Sequence, residues 1–307
     1  MKVSYNHLLK YIKSRPSIKD VSECLFQLGH ENEIQNGIID IEITPNRGDC
    51  LSLNGLLREL SIFFEIDKSQ KFFTKEIKPL KLSFKNEAPN ICKNISFLQI
   101  DIDKNINDYS GDLADYFNDL KLKKNNFFTD ISNFLSYETG QPTHCYDYEK
   151  IDTNEIIFRE INYDTEFETL LDTKIDLVDS NPVFISSDKI INLAGIMGGK
   201  NTACSDNTRS VLIECAYFNP KSIIGKTVKY DLQSDAAYKF ERNVDIECHD
   251  VVLRRFISIV EEHTRIKNIQ IYKNRFELQE QRSIAFDIAK FNKILGHNAS
   301  ENKARYY

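Results

Sequence analysis

His144 and Glu214 are the residues whose type and setting point most directly to chemistry. His144 sits in Gly140-Gln141-Pro142-Thr143-His144-Cys145-Tyr146-Asp147, a segment read as a loop with the histidine directly behind a proline turn. Glu214 interrupts the aliphatic run Val211-Leu212-Ile213-Glu214-Cys215. Between them lies Asn192-Leu193-Ala194-Gly195-Ile196-Met197-Gly198-Gly199, and beyond them Ser234-Asp235-Ala236-Ala237 opens a helix. A glycine turn, a carboxylate on a strand and a helix start brought together describe a pocket wall. An imidazole there can accept a proton from water, and glycines let backbone approach a ligand closely. Each also has a plainer reading: a structural histidine, a solvated strand-edge carboxylate, an ordinary Gly-Gly turn. Cys145 follows His144, but neighbours in a loop seldom face each other, so a Cys/His nucleophile is not expected.

The elements that must hold these residues follow from periodicity. Residues 182–186 and 190–194 are β-like runs leading into the glycines, and 211–215 is a further apolar strand. Asn219-Pro220 pairs an N-cap with proline at the first helical position. Short alternating strands are expected at 156–160, 167–171 and 175–178, and a long helix at 246–264. Upstream, 96–102 reads as a strand and 112–122 as a helix, with Thr129 capping the next. The first 65 residues form a small α/β unit. In it Ser4 caps a helix, Ser17 and Asp20 make a capping box, Asn36-Gly37 turns into the strand 38–43, and Asp49 caps a helix. Residues 66–94 are lysine-rich and read as a connection with strand-like 80–84. Residues 282–296 read as a strand and helix opening a third unit that the chain leaves unfinished. The fold class is therefore α+β, divided as 1–80, 81–278 and 279–307.

Composition narrows the functional classes. With 307 residues the chain has length for a sizeable core, and 41% hydrophobic with 28% charged residues is ordinary for a globular protein. No apolar run of about 18 residues is present, so no membrane partner is expected. The seven cysteines lack CxxC spacing and the six histidines lack HxxxH or HExxH pairing, so neither disulfides nor a metal site is expected. The thiols suit a reducing cytoplasm. A net charge of −6 argues against broad nonspecific nucleic-acid binding.

Five motifs in collinear order resemble the β subunit of bacterial phenylalanyl-tRNA synthetase. They are Met1-Lys2-Val3-Ser4-Tyr5-Asn6; Ile39 to Arg47 with Asp49-Cys50-Leu51-Ser52; and Gly140-Gln141-Pro142-Thr143-His144 with Asp147. The others are Gly195 to Gly199, then Glu214-Cys215-Ala216 with Phe218 and Phe240-Glu241-Arg242. The last belong to the domain usually called B3/B4. His7 stands where that family usually has tryptophan. The tRNA-binding OB-fold insert after Glu31 is missing, and the chain resembles only the front part of such a subunit, with 279–307 as a truncated start of the B5-like domain.

The resemblance implies a task. A synthetic site must accept phenylalanine and reject tyrosine, and an apolar pocket excludes an added hydroxyl only by roughly 10²-fold. In this family the B3/B4 domain hydrolyses tyrosine mischarged onto tRNA(Phe). The resemblance puts Glu214 against the tyrosine hydroxyl, where a phenylalanyl group would leave it unpaired at a cost of roughly 1–3 kcal/mol. It makes His144 the group orienting the attacking water or the ribose hydroxyl. Gly198 and Gly199 would bring backbone amides to the aminoacyl carbonyl. Ser234 replaces a threonine, Ala236 leaves room for a phenol ring, and Lys123 replaces an arginine, keeping charge without the bidentate fork. The implied partners are an α subunit, in an α₂β₂ assembly, and tRNA(Phe). ATP and Mg²⁺ belong to the holoenzyme, with no cofactor on this chain. A free-standing hydrolase of mischarged tRNA and a non-catalytic scaffold for the α subunit are the alternative expectations.

Overall fold

The computed structural model describes residues 1–67, 70–104, 106, 108–153, 155–275 and 283–302. The chain separates into two compact units, Met1–Phe276 and Glu277–Tyr307.

The first unit begins with strand β1 (Lys2–Ser4), helices α1 (Tyr5–Leu9) and α2 (Ile18–Gln27), and the hairpin β2 (Asn32–Gln35) and β3 (Ile38–Ile41). These strands form an antiparallel sheet in the order β1-β3-β2. Asn36 and Gly37 both take positive φ, 51° and 79°, as a tight hairpin turn of matching twist requires. Ser4 caps α1, and the Ser17–Asp20 box caps α2, both as the sequence predicts. Helix α3 (Leu53–Leu60) is capped by Ser52 rather than by Asp49, whose carboxylate is held by Arg47 instead. His7 lies buried against the rings of Phe134 and Tyr137, at centroid distances of 6.1 and 5.7 Å. A flat slot between rings accommodates an imidazole in place of a larger aromatic.

Strands β4 (Lys78–Pro79) and β5 (Ser83–Asn86) lie in the lysine-rich connection and join the two large sheets. Then come β6 (Cys92–Ile102), α4 (Gly111–Asp119), α5 (Phe127–Thr139), β7 (Thr143–Asp147), β8 (Glu155–Ile161) and the hairpin β9 (Thr165–Glu168) and β10 (Lys174–Leu177). They are followed by β11 (Asn181–Ser186), β12 (Lys189–Leu193), β13 (Met197–Gly198) and β14 (Ser210–Phe218). The unit closes with α6 (Pro220–Ile223), α7 (Lys226–Lys229), α8 (Asp235–Phe240), α9 (His249–His263) and β15 (Ile266–Arg275). Asn126 caps α5, and Thr129, expected as the cap, is the residue whose amide it receives. The segment read as a loop around His144 is strand β7, drawn into the sheet by β14.

One five-stranded sheet has the order β4-β15-β6-β14-β7 and the other β13-β12-β11-β8-β5. Alternation along β14 decides what goes where. Val211, Ile213 and Cys215 enter a core shared with α4, α5, α9 and the N-terminal elements, while Leu212, Ala216 and Phe218 enter the core against the second sheet. Glu214 is on the second face. Arg255 of α9, only 2% exposed, is held by Glu138 of α5 (3.0 Å) and Asp112 of α4 (3.1 Å). Asp112 in turn meets Lys10 at 2.9 Å. A buried guanidinium needs such partners to offset its desolvation.

In the second unit Asp287 caps α10 (Ile288–Leu295) through the amides of Ala289 and Lys290, and Gly296 ends it at φ 65°. The strand expected before this helix is not formed over 283–287, and Arg282 lies outside the described residues.

Candidate functional site

Glu214 is a core residue, 4% exposed, on the face of β14 that meets the second sheet. Its Oε2 accepts hydrogen bonds from the Tyr146 hydroxyl at 2.5 Å and from Asn192 Nδ2 at 3.2 Å. The same Asn192 amide donates to the Tyr146 oxygen at 2.9 Å. Burial raises the Glu214 carboxyl to about 7, against the pull of these two donors. Near neutral pH it therefore exists in both protonation states.

His144 stands opposite Glu214 in the β7–β14 register. Its ring meets the Tyr146 ring edge-on at 4.5 Å, and its Nε2 is shielded from solvent with no hydrogen-bond partner among the described residues. Burial lowers its pKa to about 4, so at pH 7 the imidazole is neutral and keeps a lone pair. The far wall is Gly198. A Cβ there would lie 2.2 Å from His144 Cε1, 2.7 Å from Nε2 and 2.8 Å from Leu170 Cδ2. Only glycine lets imidazole, backbone and Leu170 come this close. Gly195, at φ 72°, makes the turn between β12 and β13 against the Phe218 ring.

The remaining expected residues are placed differently. The Gly199 amide donates to Ile191 O at 2.9 Å and is committed to the sheet. Ser234 caps α8: its Oγ accepts from Ala237 N at 3.1 Å and donates to Ile196 O at 2.7 Å, tying the helix to the glycine turn. Lys123 and Ala236 line a cleft of about 660 Å³ with Thr143, Tyr116, Tyr238 and Lys239. His144, Gly198 and Glu214 are not among the residues lining that cleft. Thr143, next to His144, links the two places.

Tyr146 and Asn192 are the groups that sequence reasoning assigned no role. Strand alternation carried the signal for Tyr146, two residues from His144 and so on the same face. For Asn192 it was an amide within an apolar strand. Lys239 is likewise new: it donates to the Ser136 carbonyl and, at 2.9 Å, to its hydroxyl, and burial lowers its pKa to about 8.

Among the described residues, His30, Cys50 and Glu59 bring metal-type ligand atoms within 4.8 Å of one another. Arg47 Nη2 lies 2.9 Å from both Cys50 Sγ and Glu59 Oε1, so a guanidinium already stands where a cation would go. Burial also pushes the Cys50 thiol up to about 12, which favours the protonated form over a ligating thiolate. The donor set does not fit a metal. No helix among the described residues is long and apolar enough to cross a membrane.

Residues 100–265, the region that contains the Glu214 cluster and most of the cleft lining, match the family profile described as the B3/4 domain. The chain belongs to this family. Its sequence is similar to the phenylalanine–tRNA ligase β subunit of Psychrobacter arcticus, with 31% identity over 275 residues, covering 86% of this chain and 34% of that protein. It is also similar to the Clostridium tetani β subunit, with 28% identity over 300 residues, covering 94% of this chain and 36% of that one. The chain thus spans about a third of the length of these relatives. An N-terminal fragment of the phenylalanyl-tRNA synthetase β subunit from Pyrococcus horikoshii aligns in structure with a TM-score of 0.46 and 12% identity, over 99% of this chain and 87% of that one.

Proposed function

We propose that this chain acts as the β chain of a phenylalanine–tRNA ligase and hydrolyses tyrosine wrongly attached to tRNA(Phe). In this reading it works in the cytoplasm beside an α subunit, in an α₂β₂ assembly, and the α subunit attaches phenylalanine using ATP and Mg²⁺. No residue of this chain is proposed to hold either. The similarity to ligase β subunits over 86% of the chain supports the first part. The observation that carries the second is a buried carboxyl, Glu214, in register with a neutral imidazole, His144, whose Nε2 has no hydrogen-bond partner among the described residues.

The chemistry asked of these groups is modest. Water adds to the ester carbonyl as its proton passes to His144 Nε2. The acyl C–O bond to the ribose then breaks, and the proton goes to the ribose oxygen. Glu214 selects the substrate by pairing with the phenol hydroxyl, which a phenylalanyl ring does not offer. The direct test is deacylation of Tyr-tRNA(Phe) by the purified chain, with Phe-tRNA(Phe) as the control. Selective hydrolysis of the tyrosyl ester, abolished in His144→Ala, is the expected result. Equal rates for His144→Ala and the parent chain would rule the reading out.

A scaffold role for the α subunit is the second reading. It is favoured by the commitment of Glu214 Oε2 to groups within the chain itself.

A further inference from the structure

The hydrolytic reading above requires the hydroxyl of a substrate tyrosyl group to reach Glu214. Tyr146 already places a hydroxyl there. Its ring centroid is 4.5 Å from that of His144, nearly perpendicular to it, and its hydroxyl is 2.5 Å from Glu214 Oε2. The side chain is fully buried, and Asn192 clamps it by donating one amide group to both the phenol oxygen and the carboxylate. A phenylalanine at this position would fill almost the same volume but leave the carboxyl with the Asn192 amide alone.

We propose that Tyr146 is an internal hydroxyl partner of Glu214, so that a substrate hydroxyl reaches the carboxyl only in competition with the chain's own. Tyr146 is then a specificity-determining residue: it lowers the preference for tyrosyl over phenylalanyl esters by offering Glu214 a partner whichever ester is bound. Where a free Glu214 rejects a phenylalanyl group by being left unpaired, a Glu214 held by Tyr146 loses nothing. Asn192 is a positioning residue that acts through the phenol. The inference rests on the hydrolytic reading for its substrate but on the Tyr146–Asn192–Glu214 geometry for the competing hydroxyl.

The experiment compares the full chain with its Tyr146→Phe variant on Tyr-tRNA(Phe) and Phe-tRNA(Phe), after circular dichroism confirms that both are folded. The tyrosyl-to-phenylalanyl ratio of kcat/KM is expected to rise roughly three- to tenfold in Tyr146→Phe, the scale of one hydrogen bond. In Tyr146→Phe/Glu214→Gln it is expected to fall back. A ratio that is unchanged or lower in Tyr146→Phe overturns the proposal. If Tyr146→Phe does not fold, Asn192→Ala takes its place, with the same direction of change expected and the same overturning result. If no protein hydrolyses either ester, the hydrolytic reading fails, and the competition is decided separately by calorimetric titration with free L-tyrosine. Tighter binding by the variant than by the parent chain upholds it; the same titration curve for both overturns it.

Discussion

The Glu214 carboxyl gives the sharpest physical prediction, because its burial leaves a signature in stability that needs no substrate. In the unfolded chain it titrates at its ordinary value of 4.5, and in the folded protein at about 7. Between those values the folded state keeps a proton that the unfolded state releases. Its contribution is therefore fully present below pH 4.5 and is lost as pH rises through 7. With about 1.36 kcal/mol for each pH unit of difference, the whole effect is about 3 kcal/mol, of which about 2.5 kcal/mol falls between pH 5 and pH 8. Glu214→Gln removes the titration while keeping an acceptor for the Tyr146 hydroxyl. The groups facing Glu214 are His144 and Tyr146 from β7 and Asn192 from β12, and the Cys92 thiol is pushed well up by its own burial and then by the Glu214 charge. His144 and Tyr146 both stay neutral from pH 5 to 8, so neither blurs the comparison. Urea unfolding of both proteins at pH 5 and pH 8 is the assay. The variant is expected to gain about 2.5 kcal/mol on the parent chain over that interval. Parallel pH profiles would show that the carboxyl is already ionised in the folded state, refuting both the buried, raised carboxyl and the selectivity built on it.

Two further outcomes follow from packing and from buried bases. Gly198→Ala sets a methyl 2.2 Å from His144 Cε1, so it is expected to lower stability by about 1–3 kcal/mol and to move the His144 ring resonances in NMR spectra. An unshifted His144 would contradict the close approach. His7 titrates at about 4 rather than 6.5 because it is buried. Its stabilising contribution is therefore present above pH 6.5 and lost as pH falls toward 4. His7→Phe, which keeps a flat ring between Phe134 and Tyr137, is expected to spare about 2 kcal/mol of the loss between pH 7 and pH 4.5. Acid unfolding curves that superimpose would argue against a neutral buried imidazole.

Much of this molecule was legible in the sequence wherever a feature depends on neighbours along the chain. The Ser17–Asp20 box, the Asn36-Gly37 turn, the Asn219-Pro220 start and the Ser234 cap all involve partners a few residues apart, and all are present. Local competition explains the misplacements. Ser52 and Asn126 each offered a cap near the expected one, while Asp49 was taken by Arg47. Residues 141–147 carry turn-forming residues at their start, and pairing with β14 drew the rest into a strand.

Glu214 and His144 stood out as a carboxylate in an apolar run and a histidine behind a turn, but the surroundings of each were decided by the tertiary structure. The carboxylate's partners come from 68 and 22 residues away, Tyr146 through the pairing of β7 with β14 and Asn192 through the facing of the two sheets. Sequence separation of that size carries no periodicity. The same packing put Lys123 and Ala236 in an open cleft while His144 and Gly198 closed on each other. Residue types determined which groups were able to act; the exclusion of water between the sheets decided which proton each one holds.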